Sequence, residues 1–261
     1  MLRHGRPSLN TWALEIAKRI RVREITNEAK NILRSVDPTT VRDRRFWARL
    51  NFMAKVVPDG QLLPGRTSFA DDSCGEETNI GTNPLFSRYG IWSTGPDLAD
   101  AALYGHQIKV VKAIRLDPIG IQDGIVNKIA LGNRVINPTS ENSYVVWVEQ
   151  KEVTKGDKRN FIKCLLNAGG YGLAVELNRK RFGKNNPRKI RVWAGEQELP
   201  TITSTEFEEP GKWYFPWIGS LITGGGRLLL GILEKDVLSL GGSFLMTDTD
   251  SMAIVATERG G

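Results

Sequence analysis

Residues 244–255 read Phe-Leu-Met-Thr-Asp-Thr-Asp-Ser-Met-Ala-Ile-Val, a polar segment held between two apolar runs. The runs at 242–246 and 252–257 have the length and composition of short strands, and Asp-Thr-Asp-Ser between them is what a tight turn favours. This commits the region to an antiparallel hairpin. Asp248 and Asp250 stand two apart, so an extended backbone aims both side chains to one side. Two hard oxygen ligands at that separation suit Mg²⁺, which takes one or two protein carboxylates and fills its other positions with water and phosphate oxygens. The same residues also read as a turn closed by local side-chain to backbone bonds and nothing more.

Upstream, Lys163, Asn167 and Tyr171 recur every four residues in a helical pattern, so a cation, an amide and an aromatic line one helix face. The run Lys163-Cys164-Leu165-Leu166-Asn167-Ala168-Gly169-Gly170-Tyr171-Gly172, followed later by Asp248-Thr249-Asp250-Ser251, resembles motifs B and C of the family B DNA polymerases, in that family's order. Between them, residues 218–230 (Ile-Gly-Ser-Leu-Ile-Thr-Gly-Gly-Gly-Arg-Leu-Leu-Leu) are similar to the palm helix that precedes motif C. The resemblance is specific over residues 160–255 and weaker before them. It has two departures. Ala168, Gly169 and Gly170 separate Asn167 from Tyr171 where motif B usually has two residues, and Met246-Thr247 stands where Tyr-Gly usually introduces motif C.

The resemblance implies an α+β fold: a polymerase-like palm of antiparallel strands and packed helices, with a helical-hairpin fingers subdomain. It implies a palm-associated region at 1–138, fingers with motif B at 139–182, and palm with motif C at 183–261. The implied activity is template-directed DNA synthesis, in which a primer 3′-hydroxyl attacks the α-phosphate of a dNTP. Asp248 and Asp250 would be the catalytic carboxylates and would ligate Mg²⁺ or Mn²⁺. Lys163 and Lys151 would grip the triphosphate, while Asn167, Tyr171 and Gly172 would line the pocket of the nascent base pair. Thr223 and Arg227, one turn apart, would face DNA or hydrogen-bond within the palm. Arg179 and Arg181 belong to a basic run directly after motif B and would touch the DNA backbone. The implied partners are primer-template DNA, dNTP and a complementary polymerase chain.

A further carboxylate, from motif A, completes the metal site in this family. If Pro7-Ser8 is the tail of that motif, its aspartate position falls on Met1 and its aromatic position on Arg6. The expectation is then a palm-plus-fingers piece that begins inside motif A and lacks the thumb and proofreading domain. Such a piece is read either as a partial polymerase, or as a non-catalytic DNA-binding remnant or one half of a split enzyme. Pro7-Ser8 reads equally as an ordinary helix start, with Ser8 or Asn10 capping 11–19.

Charge agrees with a polyanionic partner: 36 Lys plus Arg stand against 29 Asp plus Glu, a formal +7. The basic residues cluster at Arg42, Arg44, Arg45 and Arg49, and again from Arg179 to Arg191, although such runs are also ordinary solvated faces. Cys74 and Cys164 have no ligand or redox spacing, and with only His4 and His106 a zinc site or histidine relay is not expected. The start Met-Leu-Arg-His is no signal peptide and no apolar run is read as a membrane span, so the expectation is a cytoplasmic protein with reduced thiols and no membrane partner.

Apolar spacing predicts helices at Trp12, Ile16 and Ile20, at 26–36 after a Thr26 cap, and at 37–50 opening on Asp37-Pro38. A hairpin is expected where 52–57 and 61–63 flank Pro58-Asp59-Gly60. Residues 66–84, rich in Ser, Thr, Gly and Asp, read as a long irregular loop. Beyond it come a helix at 96–104, a strand at 108–114 and short strand candidates up to Pro138. Two antiparallel helices are expected at 140–154 and 158–182. A hairpin around Ala194-Gly195, a loop at 208–211 and a long helix at 216–240 complete the reading. Gly224, Gly225 and Gly226 cost about 1 kcal/mol each relative to Ala inside that helix, which points to close approach by another backbone. No Gly-Lys-Ser/Thr follows them, so they are not a phosphate loop.

Overall fold

The computed structural model describes residues 20–71, 75–119, 129–131, 134–136, 143–168, 172–183, 186–194, 197–211, 214–248 and 251–255. They begin with β1 (Ile20–Glu24), α1 (Thr26–Arg34), a 3₁₀ turn (Thr40–Arg42), α2 (Arg44–Arg49), β2 (Met53–Val56), β3 (Asp59–Asp71) and β4 (Gly75–Phe86). Next come β5 (Ile91–Thr94), α3 (Gly95–Leu103), β6 (Val110–Pro118), β7 (Ile129–Leu131) and β8 (Arg134–Ile136). A helical pair, α4 (Ser143–Val153) and α5 (Gly156–Asn167), precedes a second 3₁₀ turn (Leu173–Val175). Four strands follow: β9 (Leu177–Arg181), β10 (Arg188–Ala194), β11 (Gln197–Ser204) and β12 (Glu206–Pro210). The long α6 (Pro216–Ser239) leads into β13 (Phe244–Asp248) and β14 (Ser251–Ile254). The fold is mixed α+β, with antiparallel pairs β2–β5, β2–β6, β3–β4, β7–β8, β9–β12, β10–β11 and β13–β14.

The chain forms two compact units, Val22–Asp117 with Ser220–Gly261, and Met1–Arg21 with Pro118–Gly219. The first contains the four-stranded sheet, in the order β1-β6-β2-β5. Period two sends Ala54, Val56, Ser93 and Ala113 to its inner face, where all four are buried. Ala29, Ile32 and Leu33 of α1, Leu98 and Ala99 of α3, and Leu228 of α6 complete this core. Each large apolar side chain so buried contributes about 1.5–3 kcal/mol. Thr94 caps α3, its hydroxyl oxygen accepting from the Asp97 amide at 3.2 Å while the hydroxyl donates to the Asp97 carboxylate at 2.6 Å. A Cβ on Gly95 would collide with the Leu50 carbonyl, so only glycine lets the helix start against that turn.

Several local expectations change. Residues 66–71 and 75–84 are no loop: β3 and β4 pair residue for residue from Leu63↔Asn83 to Asp71↔Gly75, a long two-stranded ribbon. Its strands carry too little apolar alternation to be read singly, and cross-strand backbone bonds hold them. Pro58-Asp59-Gly60 does not join a hairpin, because β2 pairs with β5 and β6 whereas β3 pairs with β4. Gly60, at φ +83°, turns the chain from one to the other. Ile20 opens a strand rather than continuing a helix, and the rest of that expected helix lies outside the described residues. The α1 N-cap is Ile25, and the Thr26 hydroxyl instead accepts from the Ala113 amide at 3.1 Å. The 37–50 segment breaks at Asp43, whose extended backbone (φ −78°, ψ 117°) lets its carboxylate cap α2 by accepting from the Arg45 amide at 2.9 Å.

The expected helix at 158–182 ends at Asn167, Leu177–Arg181 is strand β9 paired with β12, and the expected loop at 208–211 is, up to Pro210, part of β12 itself. Opposite charges face each other across that ribbon, a pairing no local window contains. The hairpins β10–β11 and β13–β14, and helices α3 and α6, lie where the sequence places them. By length and composition alone, α6, with 24 residues and mean hydropathy 1.2 over its most apolar stretch, is long and apolar enough to cross a membrane. Its inner face nevertheless belongs to the core, through Leu228 and through Gly224, which closes on Thr94 and Asp97.

Candidate functional site

The unit built on the four-stranded sheet ends in β13–β14. Asp248 is the last residue of β13 and lies opposite Ser251 of β14. A register shift between Phe244 and Met246 bends the outgoing strand. Asp250 itself, and with it the pairing of the two carboxylates, lies outside the described residues. Among the described residues there is no group of three or more His, Cys, Asp or Glu arranged to hold a metal ion. Asp248, Asp250 and Ser251 offer hard oxygens only, the donor chemistry that fits Mg²⁺ or Mn²⁺.

In the same unit α6 presents Thr223 and Arg227. Thr223 is exposed, and its hydroxyl donates to the Ser220 carbonyl at 3.1 Å. Of the two roles open to Arg227, the internal one is filled: Nε and Nη2 donate to the two Asp97 oxygens at 2.7 and 3.1 Å. Asp97 is only 4% exposed, so the guanidinium neutralises a buried carboxylate. One turn on along α3, the Asp100 Oδ1 is buried with no hydrogen-bond partner and lies against Gly231. Burial, then repulsion from Asp97 and Glu234, pushes its carboxyl up to about 7, against the pull of Arg227 and Lys235. Tyr104 closes the seam, its hydroxyl reaching the Gly231 carbonyl at 3.4 Å and its ring lying 4.8 Å from the Lys235 ammonium. Burial, then the Glu234 carboxylate, raises the Tyr104 phenol.

The other unit carries the helical pair. Ile162 and Leu166 of α5 are buried while Lys163 and Asn167 are exposed, so these two residues look outward from the helix, which ends at Asn167. Tyr171, the third member of the expected face, lies outside the described residues. Gly172 has helical backbone angles, and a Cβ there would stand 3.3 Å from the Asn167 carbonyl. Lys151, near the end of α4, has its ammonium 3.1 Å from Glu152 and its side chain three-quarters buried.

Arg179 and Arg181 stand on β9 and meet acids of β12. Arg179 Nε donates to Glu206 Oε2 at 3.0 Å with a second bond from Nη2, and Arg181 lies 3.8 Å from the same carboxylate. The hydrogen bonds from Arg179 hold the Glu206 carboxyl below its usual range. Lys180 pairs with Glu209, and Arg188 stacks 4.7 Å over the Phe182 ring, itself stacked on Phe207 at 5.1 Å. Much of this basic run is therefore matched within its own ribbons. Sequence reasoning missed the seam of Asp97, Asp100 and Arg227; the three-residue spacing of the acids on α3, beside the glycines of α6, was its one local signal. The chain matches no protein-family model, no curated protein and no solved structure.

Proposed function

We propose that this chain carries the palm and fingers of a template-directed DNA polymerase of the family B type. The observation that carries the reading is the β13–β14 hairpin, an antiparallel pair that follows the 24-residue α6 and sets Asp248 opposite Ser251. The outward face of α5 supports it by presenting Lys163 and Asn167 one turn apart. In the reaction the primer 3′-hydroxyl attacks the dNTP α-phosphate, forming a phosphodiester bond as pyrophosphate leaves. Asp248 and Asp250 would hold the divalent ions, whose chemistry is to activate the hydroxyl and neutralise charge on the phosphates. Lys163 steadies the triphosphate by direct charge. Asn167 and Tyr171 bound the base pair being formed.

Primer extension with dNTPs and Mg²⁺, alone and with a chain supplying a motif A carboxylate, tests this. Extension that Asp250→Ala reduces by at least a hundredfold supports the reading, and Lys163→Ala should raise the KM for dNTP by about tenfold. No extension in either arm, with DNA binding that survives Asp250→Ala, leaves a non-catalytic DNA-binding protein instead.

A further inference from the structure

The outer face of the four-stranded sheet carries a row that the polymerase reading does not use. Trp92 of β5, Lys55 of β2 and Lys112 of β6 are in register across three strands. Their neighbours Ala54, Ser93 and Ala113 point into the core, so this row points away from it. Adjacent strands lie about 4.8 Å apart, which sets an indole and two ammonium groups within about 10 Å of backbone. The Lys55 stem lies against Gly90, where a Cβ would come within 2.7 Å of Lys55 Cγ and Cε, so the row is continuous with the loop between β4 and β5.

That loop is built to hold its aromatics outward. Ser87 Oγ donates to the Tyr89 carbonyl at 2.6 Å and accepts from the Tyr89 amide at 3.1 Å, while the Ser87 amide donates to the Pro58 carbonyl at 3.1 Å. Phe86 and Tyr89 are left 74% and 82% exposed. Beside them an open hollow of about 800 Å³ is lined by Phe86, Arg88, Gln107 and Lys109, with Asp59 its one carboxylate. Exposed aromatic rings and exposed cations share this face. They suit a polyanion whose bases are free to stack. A duplex offers phosphates but keeps its bases paired, so the aromatics select a single strand.

We propose that this face binds single-stranded DNA, with phosphates on Lys55, Arg88, Lys109 and Lys112 and bases stacked on Phe86, Tyr89 and Trp92. The choice of DNA over RNA rests on the proposed polymerase reading; the single strand rests on the face itself. The test is fluorescence anisotropy of a labelled oligo(dT) with the full chain across a salt series, with oligo(U) and duplex DNA as competitors. Arg88→Glu with Lys112→Glu alters exposed positions only, and circular dichroism checks the fold. Their loss should weaken binding at least tenfold and flatten the slope of log K against log salt by roughly 1.4, about 0.7 for each phosphate contact released. Tyr89→Ala should weaken binding about tenfold and leave the slope unchanged. Wild-type affinity and slope in both variants would overturn the proposal, as would duplex DNA competing as well as oligo(dT). Equal or better competition by oligo(U) overturns the assignment to DNA. No dNTP or extension enters this measurement, so an inert Asp250→Ala comparison in the extension assay tells the two failures apart.

Discussion

Arg227 and Asp100 face the same helix seam with opposite consequences. The guanidinium is doubly bonded to Asp97, whose second oxygen also accepts from Thr94, so that carboxylate is buried but satisfied. Asp100 has no such partner, and its Oδ1 is walled in against Gly231. Because its native carboxyl titrates near 7 rather than at 3.8, the folded chain keeps a proton that the unfolded chain has already released between those values. Stability contributed at this site therefore falls as pH rises from about 4 to about 7 and then levels off, by an amount on the order of 2–4 kcal/mol. Asp100→Asn keeps the shape and removes the charge. Urea denaturation at pH 5 and pH 8 should show the variant more stable than wild type at pH 8 and close to it at pH 5. An unchanged pH dependence in the variant would place the proton elsewhere.

At the level of elements, α6 is where local propensity and packing disagree. Three successive glycines weaken a helix, yet α6 runs unbroken from Pro216 to Ser239. The three are not equivalent. A Cβ at Gly224 would strike Thr94 Oγ1 and stand 3.1 Å from Asp97 Oδ2, at Gly225 it would only touch Trp47 at 3.6 Å, and at Gly226 it would meet nothing. Gly224→Ala should therefore lower stability by about 1–3 kcal/mol despite better helix propensity, by pushing apart the Thr94–Asp97–Arg227 cluster. Gly226→Ala should raise it by about 0.5–1 kcal/mol. Thermal unfolding of the two variants side by side checks both signs. A stabilised Gly224→Ala would mean that α6 does not close on α3. The glycines read as close approach by another backbone, but what closes on Gly224 is the Thr94 and Asp97 side chains, which lie more than a hundred positions away and so were not legible from α6 alone. The β3–β4 ribbon escaped for a related reason. Its strands carry Ser, Thr, Gly and Glu, and only their mutual register makes them strands. Hairpins with their own turn and apolar alternation, such as β13–β14, needed no distant partner and were readable. Likewise the Lys163 and Asn167 face followed from spacing alone, whereas the fate of Arg179 depended on Glu206 across a ribbon.

Over the whole molecule the two compact units differ in what holds them. Every residue of the principal apolar cluster, from Ile25 to Leu228, belongs to the unit formed by Val22–Asp117 and Ser220–Gly261. In the other unit, the buried apolar residues among those described are Val146, Ile162, Leu166, Phe215 and Trp217, and β9 is exposed along its whole length. Its ribbons are joined by cross-strand ion pairs at the surface, such as Arg179–Glu206 and Arg191–Glu198, and exposed pairs of this kind add little in water and less in salt. Two-stranded ribbons with so thin a core are marginal when considered alone. The amides of β9 to β12 should therefore open at a lower free energy than those of β2, β5, β6 and α3, whose inner faces are fully enclosed. Hydrogen exchange followed by mass spectrometry, at a series of urea concentrations below the main transition, measures this directly. Peptides covering 177–210 should exchange at least tenfold faster than those covering 53–56 and 95–103, and 0.5 M salt should widen the gap. Equal protection in both regions, falling together with urea, would mean that the ribbons share the stability of the apolar core and that ion pairs are not what limits them.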